Sequence, residues 1–294
     1  MSFSIGIVGL PNVGKSTLFK ALTRLNVDIA DYPFTTIKPN VGIVQVKDQR
    51  LEQIARIIKP EKVVPAAIEF IDIAGLIKGA HSGEGLGNQF LAQIRNCRAI
   101  VHIVRCFNHE QEGSLAKKID PQEDIETIKT ELGLKDLESD EKINLLSKKP
   151  AIYLLNTDNK TPYRPPRVSY LALNLKEELE ITELSEQEKK ELKMESRLDQ
   201  LIFACYNMLD LITFFSVAGL KETRAWPIKK GLSAPEAGET VHTDFKEKFI
   251  RAEVINWQEL VKAGSLKKAR ESGKIRVTGK DYLVQDGDVI EFKI

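Results

Sequence analysis

One octapeptide constrains this chain more than any other feature: Gly9-Leu10-Pro11-Asn12-Val13-Gly14-Lys15-Ser16. It fits G-x-x-x-x-G-K-[ST]. The apolar run Ile5–Val8 precedes it and the helix-favouring "KSTLFKALTRL" follows, so strand, glycine loop and helix come in the order a phosphate-binding loop requires. In that order the backbone N–H groups of residues 12–17 converge, and the positive N-terminus of the helix adds to the same anion site. The loop therefore predicts that Asn12, Val13, Gly14, Lys15, Ser16 and Thr17 grip the phosphates of a nucleotide. Lys15 reaches the β- and γ-phosphates and the Ser16 hydroxyl ligates Mg2+.

A P-loop alone does not say which nucleotide it holds or why. "IEFIDIAG" is a nearly continuous apolar run, as a buried parallel strand should be, and it ends on Asp72-Ile73-Ala74-Gly75. Asp72, 57 residues beyond Lys15, is placed to hold Mg2+ through water, and the Gly75 N–H to meet the γ-phosphate. Between the two motifs, "DYPFTTIKPN" offers Thr35 and Thr36 as hydroxyls that complete Mg2+ coordination only when a γ-phosphate is present. A strand-forming Thr pair is the plainer alternative. Gly75, Gly79, Gly83, Gly85 and Gly87 then fall within thirteen residues, a composition suited to a loop that rearranges beside the γ-phosphate. Ras-like GTPases place a water-orienting Gln directly after D-x-x-G; Leu76 stands there, so intrinsic hydrolysis is expected to be slow. His81 and Gln89 are polar candidates for that role, although an exposed glycine loop ordinarily just solvates such residues.

The first 110 residues alternate short β-branched runs with helical stretches, which predicts an α/β fold: a mostly parallel sheet with helices on both faces. Residues 108–149 turn charged and helix-favouring. Asp120 reads as an N-cap, Pro121 as the first helical position, and Ile125, Ile128 and Leu132 as one stripe, so this segment is expected to be a helical insertion. From Leu211 onward the pattern changes to short strands and turns, including Asp286-Gly287 as a hairpin signal between "YLV" and "VIEFKI". Two domains are expected, 1–210 and 211–294. Lys and Arg number 43 against 42 Asp and Glu, so total charge singles out no partner. Cys97, Cys106 and Cys205 lack metal-ligand spacing, and no apolar run reaches the roughly 20 residues of a membrane span. A cytoplasmic protein with reduced thiols, no membrane contact and no DNA partner is the reading.

The stretches "GIVGLPNVGKSTLFKALT", "YPFTTIKPNVGIVQVKD", "IDIAGLIKGAHSGEGLGNQFL", "DPQEDIETIKTELGLKDLE" and "ETVHTDFKEKFIRAEVI…GKDYLVQDGDVIEFKI" together resemble the YchF (Obg-like ATPase) family over most of the chain. The resemblance implies a GTPase-type P-loop domain with a helical insertion and a C-terminal TGS domain of β-grasp fold. It also implies ATP as substrate, association with the ribosome (its large subunit) or RNA, and a monomer. It places Mg2+ on Ser16 and Thr36 and the base-reading turn at Asn156. Whether K+ assists is left open. The family's insertion is normally a long helical hairpin, whereas here only some 40 residues separate "VRCF" from "PAIYLLN".

Specificity turns on "YLLNTDNK". GTPases carry N-K-x-D after this strand, and its carboxylate faces guanine's two adjacent donors. Here Asn156 is present, but Thr157 replaces the Lys and Asn159 replaces the acid, a loss worth on the order of 1.5–3 kcal/mol to guanine. The family's own Asn-x-x-Glu pattern is absent too. ATP is therefore expected, with Asp158 one residue early keeping GTP open. In the C-terminal region Lys246, Lys248, Arg251, Lys267, Lys268, Arg270, Lys274, Arg276 and Lys280, interleaved with Phe249, Trp257 and Tyr282, suggest an RNA-facing surface. A charge-mixed solvated face is the competing reading. The functional expectation is an ATP-hydrolysing, Mg2+-dependent switch; the alternatives are a GTPase of the same fold and an ATP-regulated binding module without hydrolysis.

Overall fold

A computed structural model describes residues 3–25, 32, 40–73, 86–108, 119–138 and 145–294. Thr35, Thr36, Gly75, Leu76 and His81 lie outside these residues, as does the side chain of Gln89. The described elements run β1 (Ser4–Val8), α1 (Lys15–Thr23), β2 (Val41–Val46), α2 (Gln49–Ile58), β3 (Lys62–Val64), β4 (Ala66–Asp72), α3 (Leu86–Asn96), β5 (Ala99–Cys106), α4 (Pro121–Glu138), β6 (Ala151–Thr157), β7 (Tyr170–Leu173), α5 (Leu175–Glu183), α6 (Glu186–Leu192), α7 (Leu198–Met208), β8 (Leu211–Ala218), β9 (Glu222–Lys229), α8 (Ala234–Val241), α9 (Thr243–Glu247), β10 (Arg251–Asn256), α10 (Trp257–Ala263), α11 (Leu266–Glu271), β11 (Arg276–Thr278) and β12 (Asp288–Lys293). They pack as two units, Ser2–Val44 with Ile68–Leu209, and Gln45–Ala67 with Asp210–Ile294.

The first unit is built on a sheet of order β2-β4-β1-β5-β6-β7, in which β4, β1, β5, β6 and β7 run parallel. All five residues of β1 are buried, which requires cover on both faces. Val8 and Ile100 join Leu91 and Ile94 of α3 and Ile128 and Leu132 of α4 in one core cluster. Ile5 and Ile7, on the opposite face of β1, are also fully buried; α1 packs on β1, and α7 on β5 and β6. Parallel pairing brings the carboxyl ends of these strands to one edge, with Ile7 beside Asp72 and Asn156 beside Leu173. Ligands of open α/β sheets bind along such an edge.

Helix α4, the described helix of the segment expected as an insertion, packs on the sheet. Its stripe, Ile125, Ile128 and Leu132, is buried on the sheet with α3, so the helix is part of the domain's cover. Asp120 caps it, its carboxylate accepting from the N–H groups of Gln122 and Glu123 at 3.1 Å each.

The second unit carries a mixed sheet of order β11-β10-β12-β8-β9-β3. Strands β8 and β9 form an antiparallel hairpin, and β12 lies between β8, parallel to it, and antiparallel β10. With α8 packed on β9, this is the arrangement of a β-grasp fold. Phe214, Phe249, Val254, Ile290 and Phe292 build its core with Ala234 and Ala237 of α8. The segment 45–67, which a linear division at 210 assigns to the first domain, belongs here because β3 pairs with β9 and α2 packs on α10. Arg50 of α2 fixes it, donating to Asp48 through Nε at 2.9 Å and Nη2 at 2.8 Å and to Asp286 through Nη1 at 2.6 Å, over the ring of Phe215.

Asp286-Gly287 does not close a hairpin. Both edges of β12 are taken by β8 and β10, so "YLV" cannot pair with it; instead Leu283 bridges Ser233. Gly287, at φ +85°, turns the chain so that its N–H reaches the Thr213 carbonyl at 2.8 Å. The sequence pattern also passes over α8 to α11, whose 5–8 residues are too short to show a helical period. Replacing Arg50 with Ala, which removes the guanidinium from Asp48 and Asp286 and leaves Asp48 its N-cap bond to the residue 50 N–H, is expected to destabilise the protein by about 1–3 kcal/mol in denaturant unfolding. A change under about 0.5 kcal/mol would show that this tether is ordinary surface chemistry.

Candidate nucleotide-binding site

The P-loop leaves β1 at Gly9 and enters α1 at Lys15. A Cβ on Gly9 would lie 2.7 Å from the Ile103 carbonyl oxygen, so only glycine lets the loop pass over β5. Gly14 is the N-cap at φ +105°, and a Cβ there would meet Asn156 Nδ2 at 2.5 Å. Asn12, at φ +60°, makes the other left-handed bend, which Asn tolerates. Lys15 is 9% exposed and donates from Nζ to the carbonyls of Gly9 at 3.2 Å and Leu10 at 2.9 Å, laying its ammonium across the loop.

Ser16 and Asp72, the two Mg2+ candidates within the described residues, meet: Ser16 Oγ donates to Asp72 Oδ2 at 3.2 Å. An oxygen-only pair of this kind suits a hard cation that fills its remaining positions with phosphate and water. Burial pushes the Asp72 carboxyl above its ordinary value, opposed by the Ser16 hydrogen bond and by Lys15. Burial likewise pushes Lys15 down, opposed by Asp72. Both charges are thus held against desolvation, as at a site made for charged ligands.

Asn156 does not project as a free base-reader. It is 6% exposed, donates from Nδ2 to the Val13 carbonyl at 3.0 Å and accepts at Oδ1 from the Leu175 N–H at 3.1 Å, tying the P-loop to α5. Thr157 donates to Asn159 Oδ1 at 3.1 Å, and Asn159, at φ +60°, donates to Glu177 Oε2 at 3.4 Å. Asp158 folds back on its own turn: Oδ1 accepts from the N–H groups of Lys160 and Thr161 at 3.0 and 2.7 Å, and Oδ2 from the Thr161 hydroxyl at 2.6 Å. Those bonds, the Thr161 hydroxyl foremost, hold its carboxyl below the usual range. They also occupy the oxygens a guanine-reading acid would offer.

Asn12, Gly14, Lys15, Ser16, Asp72, Asn156, Thr157 and Asp158, but not Asn159, line one open cleft of about 1630 Å3, together with Thr17, Phe107, Asn174, Lys176, Glu177 and Met194. The last five escaped the sequence reading, although an Asn that follows a strand and caps "LKEELE" was a visible signal; Asn174 Oδ1 accepts from the Glu177 N–H at 3.3 Å. The candidate RNA face in the second unit is charge-mixed. Lys246 pairs with Glu239, Lys248 with Asp244, Arg270 with Glu253 and Lys274 with Glu259. Phe249 belongs to the core, and Tyr282 donates to Asp288 at 2.7 Å.

A glycine loop between a buried strand and a helix, with lysine, hydroxyl and carboxylate converging at the carboxyl edge of a parallel sheet, defines a P-loop protein of GTPase fold. A family model described as 50S ribosome-binding GTPase matches residues 4–157, and one for the C-terminal domain of YchF GTPases, described only as a protein of unknown function, matches 211–294. Proteins called ribosome-binding ATPase YchF from Haemophilus influenzae and Bacillus subtilis are 41% and 40% identical, over 100% of this chain and 99% of their own. The solved YchF GTPase of Schizosaccharomyces pombe superposes with a TM-score of 0.86 at 30% identity, covering 99% of this chain and 98% of its own. The chain belongs to the YchF family. Its alignment with the H. influenzae protein spans 364 positions against 294 residues, so at least 70 positions have no residue here.

Asp72 gives the site a testable signature. Its folded pKa lies above the unfolded value of about 3.9, so its contribution to stability is present below that pH and lost as pH rises through the raised value. Asp72→Asn is therefore expected to raise the denaturation midpoint at pH 7 while weakening Mg2+-dependent nucleotide binding about 10–100-fold. Thermal melts and calorimetry check both signs; a variant less stable than wild type contradicts the assignment.

Proposed function

We propose that this protein is a Mg2+-dependent ATPase that works as a nucleotide-driven switch on the ribosome. The observation that carries the reading is the Ser16–Asp72 oxygen pair beside the Lys15 ammonium at the mouth of the P-loop. Ser16 and Asp72 would hold Mg2+, which would supply positive charge to neutralise the phosphate oxygens. Lys15 exchanges its two loop carbonyls for phosphate oxygens, and the amides of residues 12–17 supply the remaining donors. Thr36 and Gly75, which lie outside the described residues, would complete the γ-phosphate end, the Thr36 hydroxyl as a Mg2+ ligand and the Gly75 N–H as a phosphate donor, and a partner would sense that γ-phosphate-dependent state. The catalytic set is thus Lys15, Thr36 and Gly75, acting by charge stabilisation around in-line attack of water. Leu76 offers no side chain to orient that water, so turnover is slow until a partner contributes.

ATP is favoured over GTP because Asn159 stands where an acid would read guanine and Asp158 is committed to Thr161. Asn156, Thr157 and Asn159 then serve the base end by shaping the turn. The ribosome, through its large subunit, is the partner supported by the relatives' names and by the description of the matching family. The 211–294 region, read as a TGS domain, presents a charge-mixed face to it, and the protein acts as a cytoplasmic monomer. At least 70 positions of that alignment have no residue here, which supports reading 108–149 as a shortened helical insertion.

Single-turnover hydrolysis with and without ribosomes tests the switch. The protein alone should hydrolyse ATP orders of magnitude below the roughly 1–100 s−1 of kinases, ribosomes should accelerate it, and Lys15→Ala should abolish both rates. Hydrolysis undetectable even with ribosomes, while ATP still alters ribosome affinity, would establish the non-hydrolytic module instead.

A further inference from the structure

We propose that Glu177 is the base-selecting residue of this site, an acceptor-only carboxylate that favours adenine and rejects guanine at the purine 6-position. The proposal deepens the ATP reading and rests on it for the identity of the bound purine.

The turn that reads the base in GTPases has no free acid here. Asp158 spends both oxygens on Lys160 and Thr161, and Asn159 is an amide whose oxygen accepts from Thr157. The carboxylate joined to this turn comes from another element: Glu177, on the first turn of α5, receives Asn159 Nδ2 on Oε2 at 3.4 Å and lines the cleft that holds the P-loop. Its backbone is fixed. The Glu177 N–H is bound by the cap residue Asn174, the preceding Leu175 N–H by Asn156 Oδ1, and Asn156 in turn by the Val13 carbonyl of the phosphate loop. The Glu177 backbone is therefore tied to the phosphate loop through hydrogen bonds at Asn174, Leu175 and Asn156, and its carboxylate reaches the turn through Asn159 Nδ2, an anchoring that a specificity residue needs and a solvated surface acid does not. Lys176, also on the cleft wall, supplies a neighbouring cation.

The chemistry follows from donor and acceptor inventories. An ionised carboxylate only accepts. Adenine carries an amino donor at C6, whereas guanine carries a carbonyl oxygen there, so the same group that bonds adenine sets two acceptors against each other with guanine. Selection by such a clash needs no improvement in the contact to the favoured ligand. A glutamine in the same place can turn its NH2 toward the guanine carbonyl and loses the discrimination. The bland alternative is an acidic residue favoured by the helix N-terminus, with no contact to ligand. It predicts that neutralising Glu177 affects all purine nucleotides alike.

Calorimetric titration of the full-length protein and Glu177→Gln with Mg·ATP, Mg·GTP and Mg·ITP separates the two. The affinity ratio of ATP to GTP should fall about tenfold in the variant through tighter GTP binding. ITP, which has the 6-carbonyl but lacks the 2-amino group, should move with GTP. A ratio unchanged within twofold, or equal weakening of all three nucleotides, overturns the proposal; a shift for GTP without ITP would place the contact at the 2-amino group and overturn the 6-position assignment. Tighter GTP than ATP binding by the wild type contradicts the ATP reading itself, and the change on substitution then still decides whether Glu177 selects.

Discussion

The buried amide of Asn156 is the interaction on which the site depends. One side chain satisfies the carbonyl of Val13 in the phosphate loop and the first N–H of α5. Removing it would leave two buried polar groups without partners, at about 1–3 kcal/mol each. Its position also explains a feature of the loop: Gly14 carries no Cβ because the amide occupies that space. The P-loop and the start of α5 are consequently parts of one hydrogen-bonded frame, and the Asn174–Glu177 cap extends it by a further turn.

Within that frame the charges are not at rest. Lys15 and Asp72 are both partly desolvated, and each offsets only part of the other's cost. Such a site would be stabilised by what it binds: a phosphate would give Lys15 an anion in place of its loop carbonyls, and a cation would give Asp72 a partner. Stability is given up at the cleft and recovered in the two cores, the α3–α4 layer under one sheet and the aromatic cluster of Phe214 and Phe292 in the other.

Much of this was legible in residue order. The P-loop, the Asp72 strand end and the Ile125–Ile128–Leu132 stripe each combine a local signal with a period, and each appears in the described structure as its pattern predicts. What the stripe could not show was its destination, since amphipathic helices of insertions and of core layers look alike until the surface they cover is known. The same blindness affected 45–67, whose attachment depends on a strand pairing with β9 some 160 residues away. The hairpin expected at Asp286-Gly287 failed because turn chemistry cannot reveal that both edges of β12 are already taken. At the site, the motif named Asn156 and Asn159 but not Glu177, which is 18 residues from Asn159 and is brought to it by the crossover through β7.

Hydrogen exchange measured residue by residue, with and without Mg·ATP, tests the central claim that one frame joins the P-loop and the start of α5. Nucleotide should slow exchange at the Leu175 amide, bound by Asn156, together with the amides of residues 12–17. Protection confined to the phosphate loop, with Leu175 exchanging at its free rate, would contradict the account.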